Sequence, residues 1–275
     1  MTRSTITPST LPHFGSHLPP RQYITLVDTL ARFKLKAEAR RLALGYVWWF
    51  LEPMLYVGVF YLVFDQLLGG RPPDFLEFLA VGKLTFIWFS KSVNQASLSL
   101  INSKGLIAQV NLPKHLFPLS VVQEGVYRQA GVFAFLLAFL FLAGYTPQAS
   151  WVWLLPLIVV QYLLITGCAM LGALLVCWRQ DFQMLIQLGT VFLLFMSGVF
   201  WDINTIQNTA LADWLAVLNP LLVLLDAYRD VLLAGQAPDA AALLRVLLEA
   251  FMLIGVAFWL YRRLNYWLAQ QALTS

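Results

Sequence analysis

Residues 23–68 read YITLVDTLARFKLKAEARRLALGYVWWFLEPMLYVGVFYLVFDQLL, a basic, helix-patterned segment that runs directly into a long apolar one crowded with Trp and Tyr. In the first half Tyr23, Leu26, Val27, Leu30, Phe33 and Ala37 recur at helical spacing, opposite Thr25, Asp28, Thr29, Arg32, Lys36 and Arg40. The pattern predicts an amphipathic helix over residues 21–44 that lies along the inner surface of a membrane. Leu44-Gly45 marks a break, and the second half supplies a first span. Arg3, Arg21, Arg32, Lys34, Lys36, Arg40 and Arg41 all precede that span. A basic cluster abutting an apolar run is an orientation signal and a contact with the lipid surface.

Working outward, the 275 residues are 60% hydrophobic and 12% charged, with a mean hydropathy of +0.71. That is too apolar for a soluble domain of this length and predicts an all-α integral membrane protein. About 20 apolar residues cross the hydrocarbon as a helix, and six segments qualify: Tyr46 to Leu68, Phe78 to Leu100, Leu119 to Ala143, Trp151 to Trp178, Phe182 to Trp201 and Leu243 to Leu264. Asn102 to Pro118 carries Lys104, Lys114 and His115, and Arg179 lies in the next loop of the same side; Gly69 to Glu77 and Gly144 to Ser150 hold only Arg71. Basic and basic-poor loops thus alternate as six spans with both termini inside require, and Arg262 and Arg263 close the last span on the inner side. The apolar stretch Ala210 to Tyr228 is interrupted by Asp213, Asn219-Pro220 and Asp226, and a seventh crossing there would put Arg262 and Arg263 outside. Residues 202–242 are therefore expected to form outer-side, partly re-entrant helices broken at Asn219-Pro220, shielded by protein or a wet cavity. Residues 1–20, rich in Ser, Thr and Pro without the apolar core of a secretory signal, read as a disordered tail. Residues 45–264 form the transmembrane domain and 265–275 a cytoplasmic tail.

The chemistry on offer is narrow. No Walker motif, GxGxxG, HExxH or GxSxG occurs, and the three histidines are His13, His17 and His115, which leaves little for a His-based metal or acid–base centre. Cys168 and Cys177 read as small core hydrophobes. Charge within spans is costly and faces a partner or a wet cavity. Trp49, Glu52 and Tyr56 share one face of span one, with Pro53 after the Glu; Trp88, Lys91, Gln95 and Ser99 form a polar-aromatic stripe in span two. Glu52 and Lys91 fit either a structural pair or a pathway lining. Glu124 and Arg128, at i and i+4, read as a salt bridge at the membrane edge. Aromatics make up 15% of the chain. They serve as interfacial belts and helix packing, or line a sugar path by stacking on pyranose faces, with Trp49, Tyr56, Tyr61, Trp88, Phe89, Phe200 and Trp201 as candidates.

The basic helix, LGYVWWFLEPMLYVGVFYLVF in span one, the inner loop INSKGLIAQVNLPKHLFPLS, SGVFWDI closing span five and LNPLLVLLDAYRDVLL after it together resemble the transmembrane subunit of ABC-2-type exporters. The subgroup they resemble moves polysaccharides such as O-antigen, capsule and teichoic acid. The resemblance implies a homodimer in the bacterial inner membrane, two copies of a separate ATPase subunit that holds ATP and Mg, no cofactor in this chain, no enzymatic site of its own and no nucleic-acid partner. It implies a coupling helix in 102–116, with Asn102, Ser103, Lys104, Leu106, Asn111, Pro113 and Lys114 facing the ATPase, and gate helices bearing Asn219, Pro220, Tyr228 and Arg229. A lipid-linked glycan would meet Arg32, Lys36, Arg40 and Arg41 through its phosphates. Rival readings are an ABC-2 exporter of small hydrophobic compounds, a membrane enzyme of lipid-linked sugar assembly acting through Glu52 and Glu124, and a stand-alone channel or scaffold.

Overall fold

A computed structural model describes residues 19–41, 45–63, 74–110, 112–206 and 208–274. Asn111 and the side chain of Arg41, both named above, lie outside the described residues, as do Arg71 and the tail 1–18. The described residues contain helices and connections and no strand. In order they are α1 (Pro20–Arg41), α2 (Trp48–Phe60), α3 (Phe75–Ser97), α4 (Ser99–Asn102), α5 (Lys104–Gln109), α6 (Leu116–Leu142), α7 (Leu154–Trp178), α8 (Phe182–Met196), α9 (Thr209–Leu218), α10 (Pro220–Arg229) and α11 (Ala240–Thr274).

Among the described residues four helical segments are long and apolar enough to cross a membrane: Gly45–Val63, Leu116–Leu142, Ala149–Trp178 and Ala240–Leu264. The expected second and fifth spans do not meet that measure, each for its own reason. α3 has the length, 23 residues, but carries Glu77, Lys83 and Lys91. It can do so because it is the centre of the bundle: Leu79, Ala80, Val81, Leu84, Phe86, Trp88 and Phe89 are all buried against neighbouring helices. α8 is apolar but 15 residues long, about 22 Å at 1.5 Å per residue, and stops before Gly198, whose φ of +69° turns the chain. The apolar residues beyond Met196 that lengthened the predicted span belong to that turn.

α3 packs on α6, α7 and α10, while α7 and α11 form the most extensive helix pair. Close approach there depends on Gly167, where a Cβ would stand 2.7 Å from Leu253 Cβ. Two cores result. The larger runs through α3, α6, α7, α10 and α11, and a smaller one at the far end gathers Leu100, Ile107, Phe117, Met170, Cys177, Tyr261 and Leu268.

The amphipathic helix forms, and Tyr23, Leu26, Val27 and Leu30 of its apolar face are half-buried while Phe33 and Ala37 are exposed. Ala31 is buried, and α6 adds polar partners beside that face: Tyr127 donates to Asp28, Lys34 Nζ donates to Ser120 Oγ at 3.0 Å, and Arg128 pairs with Glu38 at 3.3 Å.

The apolar stretch of 210–228 is two helices, α9 and α10, parted at Asn219-Pro220. Asn219 Oδ1 caps α10 by accepting from the Leu221 and Leu222 amides, and its Nδ2 donates to Met196 O (3.2 Å) and Ser197 Oγ (3.0 Å). Pro220 sits at the first helical position, where its missing N–H costs nothing. One side chain therefore starts α10 and ties it to the end of α8.

Candidate functional site

Three helices bring together the intramembrane polar residues that stood apart in sequence. α2 supplies Trp49, Glu52 and Tyr56; α3 supplies Trp88, Lys91, Ser92 and Gln95; α6 supplies Gly125, Arg128 and Gln129. Together they line a cavity of about 50 Å³. Gly125 makes the approach possible, because a Cβ on it would collide with Ser92 Oγ. Lys91 Nζ donates to both carboxylate oxygens of Glu52, so this pair is an ion pair between α2 and α3. Arg128 bonds Glu124 at 3.1 Å, Gln95 Oε1 at 2.6 Å and Glu38 at 3.3 Å, joining α6 to α3 and α1. The Trp88 indole N–H is buried beside the cavity without a protein acceptor. A volume of this size holds one to three waters, roughly, and cannot hold a sugar ring.

Gln95 and Arg128 also line a second hollow of about 500 Å³ bounded by Lys34, Glu38, Ser99, Asn102 and Glu124, between α1, α3, α4 and α6. Burial pushes the Lys34 ammonium below its ordinary value, against the nearby Glu124 charge. The two hollows form a polar seam from the α1 level into the bundle. Arg32, by contrast, pairs with Asp28 at 2.8 Å on the exposed side of α1, where Lys36 and Arg40 also stand.

The aromatic candidates separate into groups. Trp49, Tyr56 and Trp88 share the small cavity, and Lys83 lies over the Tyr56 ring at 5.4 Å. Phe89 is buried in the main core, and Tyr61 is exposed on α2. Phe200 and Trp201 stand at the opposite end of the bundle from the His115 loop, where the Trp201 indole donates to Phe195 O at 2.7 Å. Within one protomer they form no continuous wall.

In the 102–116 segment, α5 is anchored by Ile107 in the smaller core, with Lys104 and Leu106 half-buried, Asn102 exposed and Ser103 and Pro113 half-buried. Lys114 is buried; its ammonium donates to Leu112 O at 3.1 Å, and burial lowers its pKa. The neighbouring His115 was not singled out in the sequence, yet it holds this end together. Its ring stacks on Tyr23 of α1 (5.5 Å) and meets Phe258 (5.2 Å) and Tyr261 (6.0 Å) of α11 edge-on. Burial, aided by the Arg262 charge, lowers its pKa to about 4, so the ring is neutral at physiological pH. Nothing in the sequence links His115 to three aromatics that lie 92, 143 and 146 positions from it.

In the α9–α10 region Tyr228 is fully buried, and Arg229 crosses to α3: its guanidinium lies 3.5 Å from the Phe78 ring centroid and donates to Val199 O at 3.2 Å and to Phe78 O at 3.4 Å. Among the described residues no group of three His, Cys, Asp or Glu could hold a metal ion.

An all-helical bundle with several helices long and apolar enough to cross a membrane, a basic helix docked on one end and a broken helical segment at the other defines a multi-pass membrane protein. The family model for ABC-2 type transporters matches residues 25–233, and the chain belongs to that family. It is similar to two proteins of Klebsiella pneumoniae and one of Myxococcus xanthus, each named an O-antigen export system permease protein RfbA. Identity with the Myxococcus xanthus protein is 29% over 241 residues, 86% of this chain and 91% of the other. The two from Klebsiella pneumoniae are 26% identical over 76% of this chain and 81% of theirs, and 24% identical over 89% and 94%.

Proposed function

We propose that this chain is the transmembrane permease subunit of an ATP-driven ABC exporter that moves a lipid-linked O-antigen polysaccharide across the bacterial inner membrane. The observation that carries the reading is that relatives named as O-antigen export permeases match along most of their own length and of this chain, across the transmembrane domain rather than one motif. Two copies of the chain would pair and sit on two copies of a separate ATPase, which binds ATP and Mg. The six-span topology has α3 and α8 as its second and fifth spans, both termini inside, and α9 and α10 as outer-side gate helices. α3 is shielded by the helices of its own bundle, and the brevity and exposed apolar face of α8 suit a helix shielded by a second copy rather than by lipid alone.

ATP-driven closure of the partner subunits would press on 102–116. The His115 contacts supply the mechanical link: displacement of this loop moves α1 through Tyr23 and α11 through Phe258 and Tyr261. The exposed Arg32, Lys36 and Arg40 would receive the lipid phosphates at the inner leaflet. The about 50 Å³ cavity is too small for the glycan, which supports a polymer path between two copies of the chain rather than within one.

Deletion of the gene, with complementation by the wild-type chain, tests the reading. Loss of long-chain O-antigen at the surface with intracellular build-up of lipid-linked glycan is the expected result. Unchanged surface glycan overturns it. Co-purification of the chain with its ATPase, weakened by substitution of Lys104, tests the coupling segment.

A further inference from the structure

Three connections converge at the end of the bundle away from His115: the start of α3, the α6–α7 connection and the turn after α8. With the segment after α10 they border an open hollow of about 610 Å³ lined by Asp74, Phe75, Tyr145, Phe200, Trp201 and Asp202, with Phe78 and Thr205 behind. Its size falls within the range of small-ligand sites.

Its walls are held. Phe75 and Phe78 stack at 6.2 Å and 12°; Phe200 packs edge-on against Phe60 and at 5.6 Å from Phe195. The Trp201 indole is fixed by its bond to Phe195 O. Asp74 has φ of +70°, the one positive φ outside glycine among the described residues, and no side-chain cap bond to α3. Strain of this kind persists where surrounding structure enforces it and clusters at binding sites. The Tyr145 hydroxyl bonds Asp74; burial and then that carboxylate push its pKa up to about 12, so it stays a neutral donor.

Rigid aromatic faces beside carboxylates suit either a sugar, whose apolar face stacks while its hydroxyls donate to the acids, or an organic cation. The cation role is already filled. Arg229 covers the Phe78 ring and lies within electrostatic reach of Asp202. Asp74, which already accepts from Tyr145, and Asp202 place carboxylates on the hollow, and a carboxylate with several acceptor sites favours further hydroxyl donors and repels anions.

We propose that this hollow binds neutral sugar residues of the exported polymer as they leave the transporter on the outer side. The proposal rests on the reading of the chain as a glycan exporter. The site disfavours uronate-bearing chains.

The test uses the full chain in lipid nanodiscs, titrated with three neutral hexasaccharides (of mannose, galactose and glucose), a hexagalacturonate and tetraphenylphosphonium, followed by tryptophan fluorescence and calorimetry. Saturable binding of at least one neutral hexasaccharide is expected, with hexagalacturonate excluded. The isosteric Asp202→Asn and Tyr145→Phe should each weaken it about fivefold or more, the loss of one hydrogen bond. Trp201→Tyr, which keeps an aromatic face, should retain more affinity than Trp201→Ala. Binding of none of the neutral probes overturns the proposal, as does preference for tetraphenylphosphonium or binding that the four variants leave unchanged. Gene deletion separates the two readings: lost surface O-antigen with no oligosaccharide binding overturns the site alone, whereas unchanged surface O-antigen overturns the exporter.

Discussion

Gly167 is the position where one methyl group tests the bundle most directly. It lies in α7 against α11, and an alanine Cβ there would stand 2.7 Å from Leu253 Cβ, 3.3 Å from the Ile254 amide nitrogen and 3.5 Å from Ala250 O. Aliphatic carbons rest roughly 3.5–4.0 Å apart. Leu253 Cβ is the root of its side chain and the other two atoms are backbone, so no rotamer relieves the clash; the helices must part by about 1 Å. Overpacking of this kind costs about 1–3 kcal/mol. Alanine's better helix propensity returns about 1 kcal/mol at most, leaving Gly167→Ala less stable by about 1–2 kcal/mol. Gly255→Ala is the internal control: it lies in α11 with no atom within 4 Å of the added carbon. It should be neutral or gain up to about 1 kcal/mol. Denaturant unfolding of the purified full chain in one detergent, the two variants side by side, reads the difference. A Gly167→Ala variant as stable as wild type, or a Gly255→Ala variant less stable than Gly167→Ala, would refute the packing argument.

His115 stays neutral down to about pH 4 when folded, while its ordinary value is 6.5. The unfolded chain therefore takes up the proton first, and the stability this group supplies, at most about 3 kcal/mol, is complete above pH 6.5 and is lost as pH falls toward 4. His115→Phe keeps the stacking and should flatten stability between pH 6.5 and 4.5, measured by denaturant midpoints; an unchanged slope counts against the buried ring as its source. His115→Ala removes three ring contacts and should lower stability by about 2–4 kcal/mol. Lys91→Met leaves Glu52 unpaired at membrane depth and should cost about 2–3 kcal/mol; in a double-mutant cycle Lys91→Met with Glu52→Gln should come closer to wild type than either single change. Asn219→Ala removes the α10 cap and two tethers to the α8 end and should cost about 1–2 kcal/mol, seen as faster proteolysis of the α9–α10 segment.

Composition and hydropathy carried the class of protein, because an apolar fraction this high leaves no soluble alternative. Asn219-Pro220 could be read as a break because both residues act locally, one as cap and the other as first helical residue. Leu44-Gly45 was legible as a break because glycine tolerates a positive φ, and Gly45 has φ of +51°. Glu124 and Arg128 were legible as a pair because helical spacing alone places them together. Other features lay beyond such local rules. The polar partners that α6 presents to Asp28, Lys34 and Glu38 of α1 are contained in no pattern within α1. α2 gives two of the three charges of α3 a partner, Glu52 for Lys91 and the Tyr56 ring for Lys83, whereas the hydropathy of an isolated segment has no knowledge of neighbours.

The basic helix running into an aromatic span determined by itself that this is a membrane protein, since water, hydrocarbon and charge act on each segment separately. The tertiary structure decided what the span's polar face is for. Glu52 meets Lys91, Trp49 and Tyr56 close on Trp88, and Gly125 lets α6 complete a cavity too small for a sugar. Only packing sets which residues from distant helices share a space, because side-chain volume and pairing across helices, not sequence spacing, determine how closely backbones approach.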